Sequence, residues 1–216
     1  MCFITLVGWG MPRFVDHAQR RKAIVDAAWV LIADEGYEAV TIRRLAHELG
    51  GATGRVTNYF GAKDDILIAV LDELTASHQS GLAHLGTALE SAGDDLDLIA
   101  AAIIESLPLD QERTRDWKTW LAFWSRASIS PMIAQRHKDV YAAWRQCLAT
   151  ALAVMSGVSQ PSLALDQSAE QLLAFIDGLG IHVLIEPNRI DRKMLLAMVD
   201  AQLVGLRAGL QVGSLG

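Results

Sequence analysis

Residues Thr41 to Ile66 read TIRRLAHELGGATGRVTNYFGAKDDI, and the fold is decided there. Thr41 can cap a helix in which Ile42, Leu45, Ala46 and Leu49 stand at i, i+3, i+4 and i+7, the stripe of a helix packed on one side. The pair Gly50-Gly51 predicts its stop. After a short turn comes a second, shorter helix, with Val56 and Phe60 on one face at i, i+4. Packed steeply against the first, that helix leaves Arg55, Thr57, Asn58 and Tyr59 largely outward. An apolar back and a narrow front of donors and acceptors is what a helix needs to enter a DNA major groove. Lys63 opens the next helix, where backbone N–H groups and a cation together suit a phosphate. On spacing alone, a tight helical hairpin with a polar outer face fits equally well.

Outward from this segment the apolar period stays helical. Ile24, Ala28, Leu31 and Ile32 precede it on one face, and Leu67, Val70, Leu71 and Leu74 follow. Leu96, Ile99, Ala100 and Ile103 come next, behind the candidate caps Asp94 and Asp95. Ser130-Pro131 reads as an N-cap with proline at the first helical position, opening a helix that runs through Val140 and Leu148 to a stop near Gly157. Two more helices are predicted, from about Asp166 to Ile185 and from Asp191 to about Ala208. No alternating segment is bounded by hairpin signals. The expectation is an all-α chain of about nine helices. It divides into a leader or arm over 1–15, a helix-turn-helix domain over 16–64 and a larger helical bundle over 65–210.

Composition sets the outer bounds. With 216 residues, 51% of them hydrophobic and 20% charged, the chain is long and apolar enough for a packed core, which excludes disordered and disulfide-scaffold classes. Cys2 and Cys147 make no metal or disulfide framework. No run reaches about 18 uninterrupted apolar residues, so a soluble cytoplasmic protein without a membrane partner is expected. Net charge is −6, unevenly spread: eight basic residues oppose six acidic ones up to Lys63, and eleven oppose nineteen beyond it. A mildly basic head on an acidic body permits phosphate contact at one end only. The opening MCFITLVGWG lacks the basic start and cleavage site of a secretory signal and reads as an arm, or as an upstream start with Met11 the true one.

The spacing of Ala27, Ala28, Leu31, Ile32, Gly36, Val40, Thr41, Leu45, Ala46, Leu49 and Gly50, followed by Gly54, Arg55, Tyr59, Phe60, Lys63 and Leu67, resembles the N-terminal domain of TetR-family transcriptional regulators over about residues 20 to 68. The resemblance implies DNA contact by Thr41, Tyr59, Lys63 and the exposed recognition-helix residues. We count Thr53, Gly54, Arg55, Thr57 and Asn58 among these, with Arg43 beside Thr41. The chain departs from the family at Gly51 and Ala52, where an apolar residue and a capping hydroxyl are usual, unless Thr53 caps a helix begun one residue later. Thr57 stands where an aromatic is common, which predicts a base preference unlike that of aromatic-bearing relatives.

Between Leu107 and Leu148 lie four of the six tryptophans. Trp117, Trp120 and Trp124 share a face with Leu121 beside them, and Tyr141 and Trp144 share a face of the next helix. Large core residues clamping two helices account for this pattern; so does the wall of a ligand pocket, or an aromatic cage for a cation. The stretch also resembles the C-terminal domain of the betaine-inhibitor (BetI) group of the TetR family, which implies a small-molecule effector, choline-like or apolar. Candidate carboxylates for a cation are Asp116 and Asp139. The last two helices are apolar around much of their circumference, and Gly178, Gly180 and Gly205 would let backbones approach closely. The family pairs these helices with their mates in a four-helix bundle.

No phosphate-loop, zinc-protease or nucleophile-elbow motif is present, and the six histidines include no i, i+4 pair. Cys147 beside Arg145 reads as a small buried hydrophobe rather than a redox thiol. The expectation is therefore a non-enzymatic homodimeric regulator without cofactor or metal. Its partners are double-stranded operator DNA and a small-molecule effector that releases it, which makes it a repressor. The alternative is an all-helical dimeric binding or enzymatic module whose head no longer reads DNA.

Overall fold

The computed structural model describes residues 14–76, 95–158 and 161–213. The leader expected over 1–15 lies outside them except at its end, as do Asp94, Ser77, His78 and His84. Nine α-helices and one short 3-10 turn make up the described residues, without strands. Helix α1 (Phe14–Glu35) turns Ile24, Val25, Ala28, Leu31 and Ile32 inward, as its spacing predicts. It ends at Gly36, whose φ of 86° is open to glycine at little cost. The 3-10 turn Tyr37–Ala39 leads to α2 (Ile42–Glu48), where Thr41 Oγ1 accepts from the Arg44 N–H at 3.1 Å.

Helix α3 (Gly54–Thr57) is a single turn, with Val56 fully buried against α2. Thr53 stands at its N-cap position in helical backbone and makes no capping bond, so the hydroxyl lost at Ala52 is not replaced from there. Helix α4, over 63–76, buries Ile66, Leu67, Val70, Leu71 and Leu74.

The larger bundle comprises α5 (Leu96–Ser106), α6 (Gln111–Ala127), α7 (Pro131–Ser156), α8 (Leu163–Ile185) and α9 (Arg192–Gly213). Asp95 caps α5 and Asp110 caps α6 through their carboxylates. Ser130 and Gly157 bound α7 where the sequence places them, but the Ser130 hydroxyl leaves its own helix and donates to Asp64 Oδ2 at 3.0 Å. Two predicted ends move. Helix α8 starts at Leu163 rather than near Asp166, because Ser162 Oγ accepts from the Leu165 N–H. Helix α9 continues past Ala208 to Gly213, held by the buried Leu210.

Helix α7 packs on α8, α5 on α9, and α6 on both α7 and α8, while α1 packs on α6 and so joins head to bundle. Helices α8 and α9 are each long and apolar enough to cross a membrane by length and composition. In the fold, Leu195, Val199, Leu203, Leu206 and Leu210 of α9 turn inward and leave Met194, Leu196, Met198 and Val204 on the surface. Gly178 and Gly205 face open space; Gly180 meets not a backbone but the ring of Trp117.

Candidate functional site

At the head, Thr41 and Arg43 at the start of α2 and Thr53, Gly54, Arg55, Thr57 and Asn58 along α3 are all exposed. Tyr59 is half-buried, its ring tilted against His17 at 4.6 Å between centroids. Lys63 is half-buried too: its Nζ lies 3.1 Å from Glu38 Oε2 and 3.9 Å from the centre of the Tyr37 ring. Arg55 does not project freely. Its Nη1 donates to the Leu49 carbonyl at 3.2 Å, closing an orphan acceptor at the end of α2. To get there the side chain crosses Gly51, where a Cβ would stand 2.9 Å from Nη1 and 3.1 Å from Nε. The missing side chain at position 51 is thus the space that Arg55 uses, a relation invisible to the comparison with family patterns.

At the base of the head, Asp64 at the start of α4 gathers four donors. Arg126 of α6 pairs with both its oxygens (Nε at 2.9 Å, Nη2 at 3.1 Å), Ser130 donates at 3.0 Å, and Tyr37 donates its hydroxyl. The Arg126 hydrogen bond, foremost, holds the Asp64 carboxyl below its ordinary range. Burial and this carboxylate raise the Tyr37 phenol. Tyr37, α4, α6 and α7 therefore meet on one side chain.

In the bundle, α6, α7 and α8 enclose a cavity of about 60 Å³. Trp117, Trp120 and Trp124 of α6 wall it, with Tyr141 and Trp144 of α7, Leu173, Ile176 and Asp177 of α8, and Ser106 at the end of α5. At about 10–15 Å³ for each water-sized group, it has room for about four to six such groups, the size of a quaternary ammonium head. The rings hold one another: Trp120 lies 6.2 Å from both Trp124 and Tyr141, and Trp117 stands edge-on to Trp124 at 6.1 Å.

A chain of hydrogen bonds runs through the wall. Trp124 Nε1 donates to the Tyr141 hydroxyl at 2.9 Å, and that hydroxyl donates to Asp177 Oδ2 at 2.9 Å. Burial pushes the Asp177 carboxyl up to about 6, and burial with the neighbouring Asp177 raises the Tyr141 phenol. Among the described residues, no ammonium or guanidinium pairs with Asp177.

Two readings of the sequence are corrected here. Leu121 is 40% exposed and lines an open groove on the far side of α6, beside Ile129 and the α1 terminus. Neither Asp116, which is buried, nor Asp139, which accepts from Gln135, lines the cavity. The carboxylate that lines the cavity is Asp177, and a signal for it exists: it is the only acidic residue in the apolar run Leu172 to Ile185. Cys147 is half-buried, and burial raises its thiol, which keeps it a poor nucleophile.

Residues 24–70 match the family model for bacterial regulatory proteins of the tetR family, and residues 95–208 match that for the C-terminal domain of BetI-type transcriptional repressors. The HTH-type transcriptional regulator BetI of Rhizobium meliloti is 30% identical over 190 residues, covering 88% of this chain and 90% of its own. The HTH-type transcriptional regulator PksA of Bacillus subtilis is 26% identical over 186 residues, covering 84% and 87%. A transcriptional regulator from Saccharomonospora viridis, solved in complex with choline, superposes with a TM-score of 0.70 at 27% identity, over 88% of this chain and 95% of that one. With a capped α2, a turn and an exposed α3 above a ligand-sized cavity, the chain belongs to the TetR family and is a helix-turn-helix, DNA-binding transcriptional regulator with a BetI-type C-terminal domain.

Proposed function

We propose that this regulator is a repressor whose effector is a small organic cation of the quaternary-ammonium class, bound in the cavity of α6, α7 and α8. The observation that carries the reading is Asp177, a half-buried carboxylate held by a neutral donor, among five aromatic rings. A cation there gains the carboxylate and, from each ring face, about 0.5–2 kcal/mol. The choline complex of the Saccharomonospora viridis relative supports the same class.

At the other end, Thr41, Arg43, Thr53, Gly54, Arg55, Thr57, Asn58, Tyr59 and Lys63 form the operator surface. Base edges are met from α3, and phosphate by Lys63 once it leaves Glu38. The head is 16–64, and 65–210 carries the cavity and a homodimer face on α8 and α9. The dimer spaces two recognition helices about one DNA turn, ~34–36 Å, apart. The protein works in the cytoplasm, on chromosomal DNA. Helix α6 carries three of the five cavity rings as well as Arg126, so an occupant that moves α6 also moves Asp64 and α4. Release follows if the effector prefers the splayed state, by no more than that preference.

The test is a mobility-shift titration on DNA from beside the coding sequence, at two salt concentrations, with and without choline. The expected result is a specific band that weakens steeply with salt, is lost in Tyr59→Ala and Lys63→Ala, and is released by choline. A band that saturating choline leaves unchanged, together with no heat of choline binding, would remove the effector assignment and leave an apolar ligand as the occupant.

A further inference from the structure

Gly180 of α8 is buried, and the space where any other residue would carry its Cβ is already filled. Cη2, Cζ3 and Cζ2 of Trp117 all stand within 3.0 Å of that point, closer than real Cβ atoms approach other atoms. The five-membered ring of the indole is fixed as well, because Trp117 Nε1 donates to the Ser106 carbonyl at the end of α5 at 2.8 Å. The ring is therefore held between a hydrogen bond and a bare stretch of helix backbone. Its free border is the cavity, which Trp117 itself lines.

We infer that Gly180 is a specificity-determining residue: by seating the Trp117 ring against the α8 backbone it sets the size of the cavity and so which occupants enter. The inference rests on the effector reading of that cavity. Adding one methyl at this position forces the ring carbons back to ordinary contact at about 3.5–4.0 Å, a retreat of about 1 Å or more. In a space of about 60 Å³ such a retreat removes room that a quaternary ammonium needs. Helix geometry has no objection to the change, since alanine is a better helix former than glycine. The proposed operator surface, which runs from the start of α2 through α3 to the start of α4, is untouched.

The experiment compares Gly180→Ala, Trp117→Phe and the double variant with the wild-type chain, reading choline binding by calorimetry and operator binding by mobility shift. Phenylalanine lacks the outer ring atoms that reach Gly180. Expected is unchanged operator binding without choline in Gly180→Ala, and choline affinity lowered by about tenfold or more. In the Trp117→Phe background the same alanine should cause no further loss. An equal loss in both backgrounds, or none in either, overturns the inference.

The crystal structure of Gly180→Ala reads ring position whatever the cavity binds. A ring moved toward Tyr141 and Asp177 upholds the inference, and an unmoved ring overturns it. If the wild-type chain binds no choline, the effector reading fails on that result alone, while Gly180 is still judged by the ring.

Discussion

Asp177 stands where a carboxylate is disfavoured, and its behaviour with pH follows from that. Its folded value, about 6, lies above the ordinary 3.8 because burial penalises the charge. The stability this group contributes is therefore fully present below about pH 3.8 and is lost as pH rises through about 6. A bound cation favours the ionised form, so choline affinity should rise over that range, by up to about tenfold per pH unit, and level off above it. Calorimetric titrations at about pH 5 and about pH 7.5 should show the rise in the wild-type chain and none in Asp177→Asn, whose affinity should be low at both. At the head, Gly51→Ala should push Arg55 off the Leu49 carbonyl. The melting midpoint should move by no more than about 2–4 °C, while base preference under α3 changes, read by a panel of single-base operator variants. A preference profile identical to wild type would show that Arg55 takes the same place on DNA regardless. The cavity aromatics were legible in the sequence because helical spacing alone puts Trp117, Trp120 and Trp124 on one side. Leu121 stands outside the cavity because adjacent residues turn about 100° apart, and one step from Trp120 leads away from it. Asp177 stands out in the sequence as the lone acid of its apolar run, but no spacing rule links it to rings on other helices.

Among the helices, α6 connects the two ends of the regulator. It carries the tryptophan wall on one stretch and Arg126 at its last turn, where the guanidinium grips Asp64 at the start of α4. Arg126→Ala should leave choline binding and operator binding individually near wild type while the effect of one on the other, typically about 5–150-fold in coupled systems, falls toward none. Operator titrations at zero and saturating choline measure that ratio; full release retained in the variant would place the coupling elsewhere. The same pair ties the joint to acid stability. Because Asp64 is depressed below 3.8, its contribution is present at neutral pH and is lost as pH falls through its lower folded value. Several helix ends were readable from caps and stops: Thr41, Asp95 and Gly157 all stand where local chemistry demands a terminus, whereas the Asp110 cap of α6 is found only in the fold. Helix α8 begins early because Ser162, just after Pro161, caps it as Asp110 caps α6, a signal that the apolar period starting later obscured. No side-chain cap opens α3, because Gly51 and Ala52 carry no hydroxyl and Thr53 makes no capping bond.

For the whole molecule, the proposed assembly rests on the outward side of α9. Met198 is 37% exposed and Val204 55%, on a helix whose other side is already committed to the core. In the proposed dimer these positions are covered, so Met198→Glu with Val204→Glu should yield monomers in sedimentation velocity. Operator affinity should fall on the order of a hundredfold as each head binds half a site alone. A double variant that remains dimeric would move the interface off this face. Order and length of the helices could be read from the chain, but their partners could not: periodicity shows that α5 and α9 each have an apolar side, not that those sides meet. The crowding of indoles has one more consequence. Four of the six tryptophans border a single cavity, so four of the protein's six indole fluorophores stand beside whatever occupies it. The regulator thus contains its own optical reporter, and libraries of candidate amines can be screened against the unlabelled protein by fluorescence, without DNA and without knowledge of its operator.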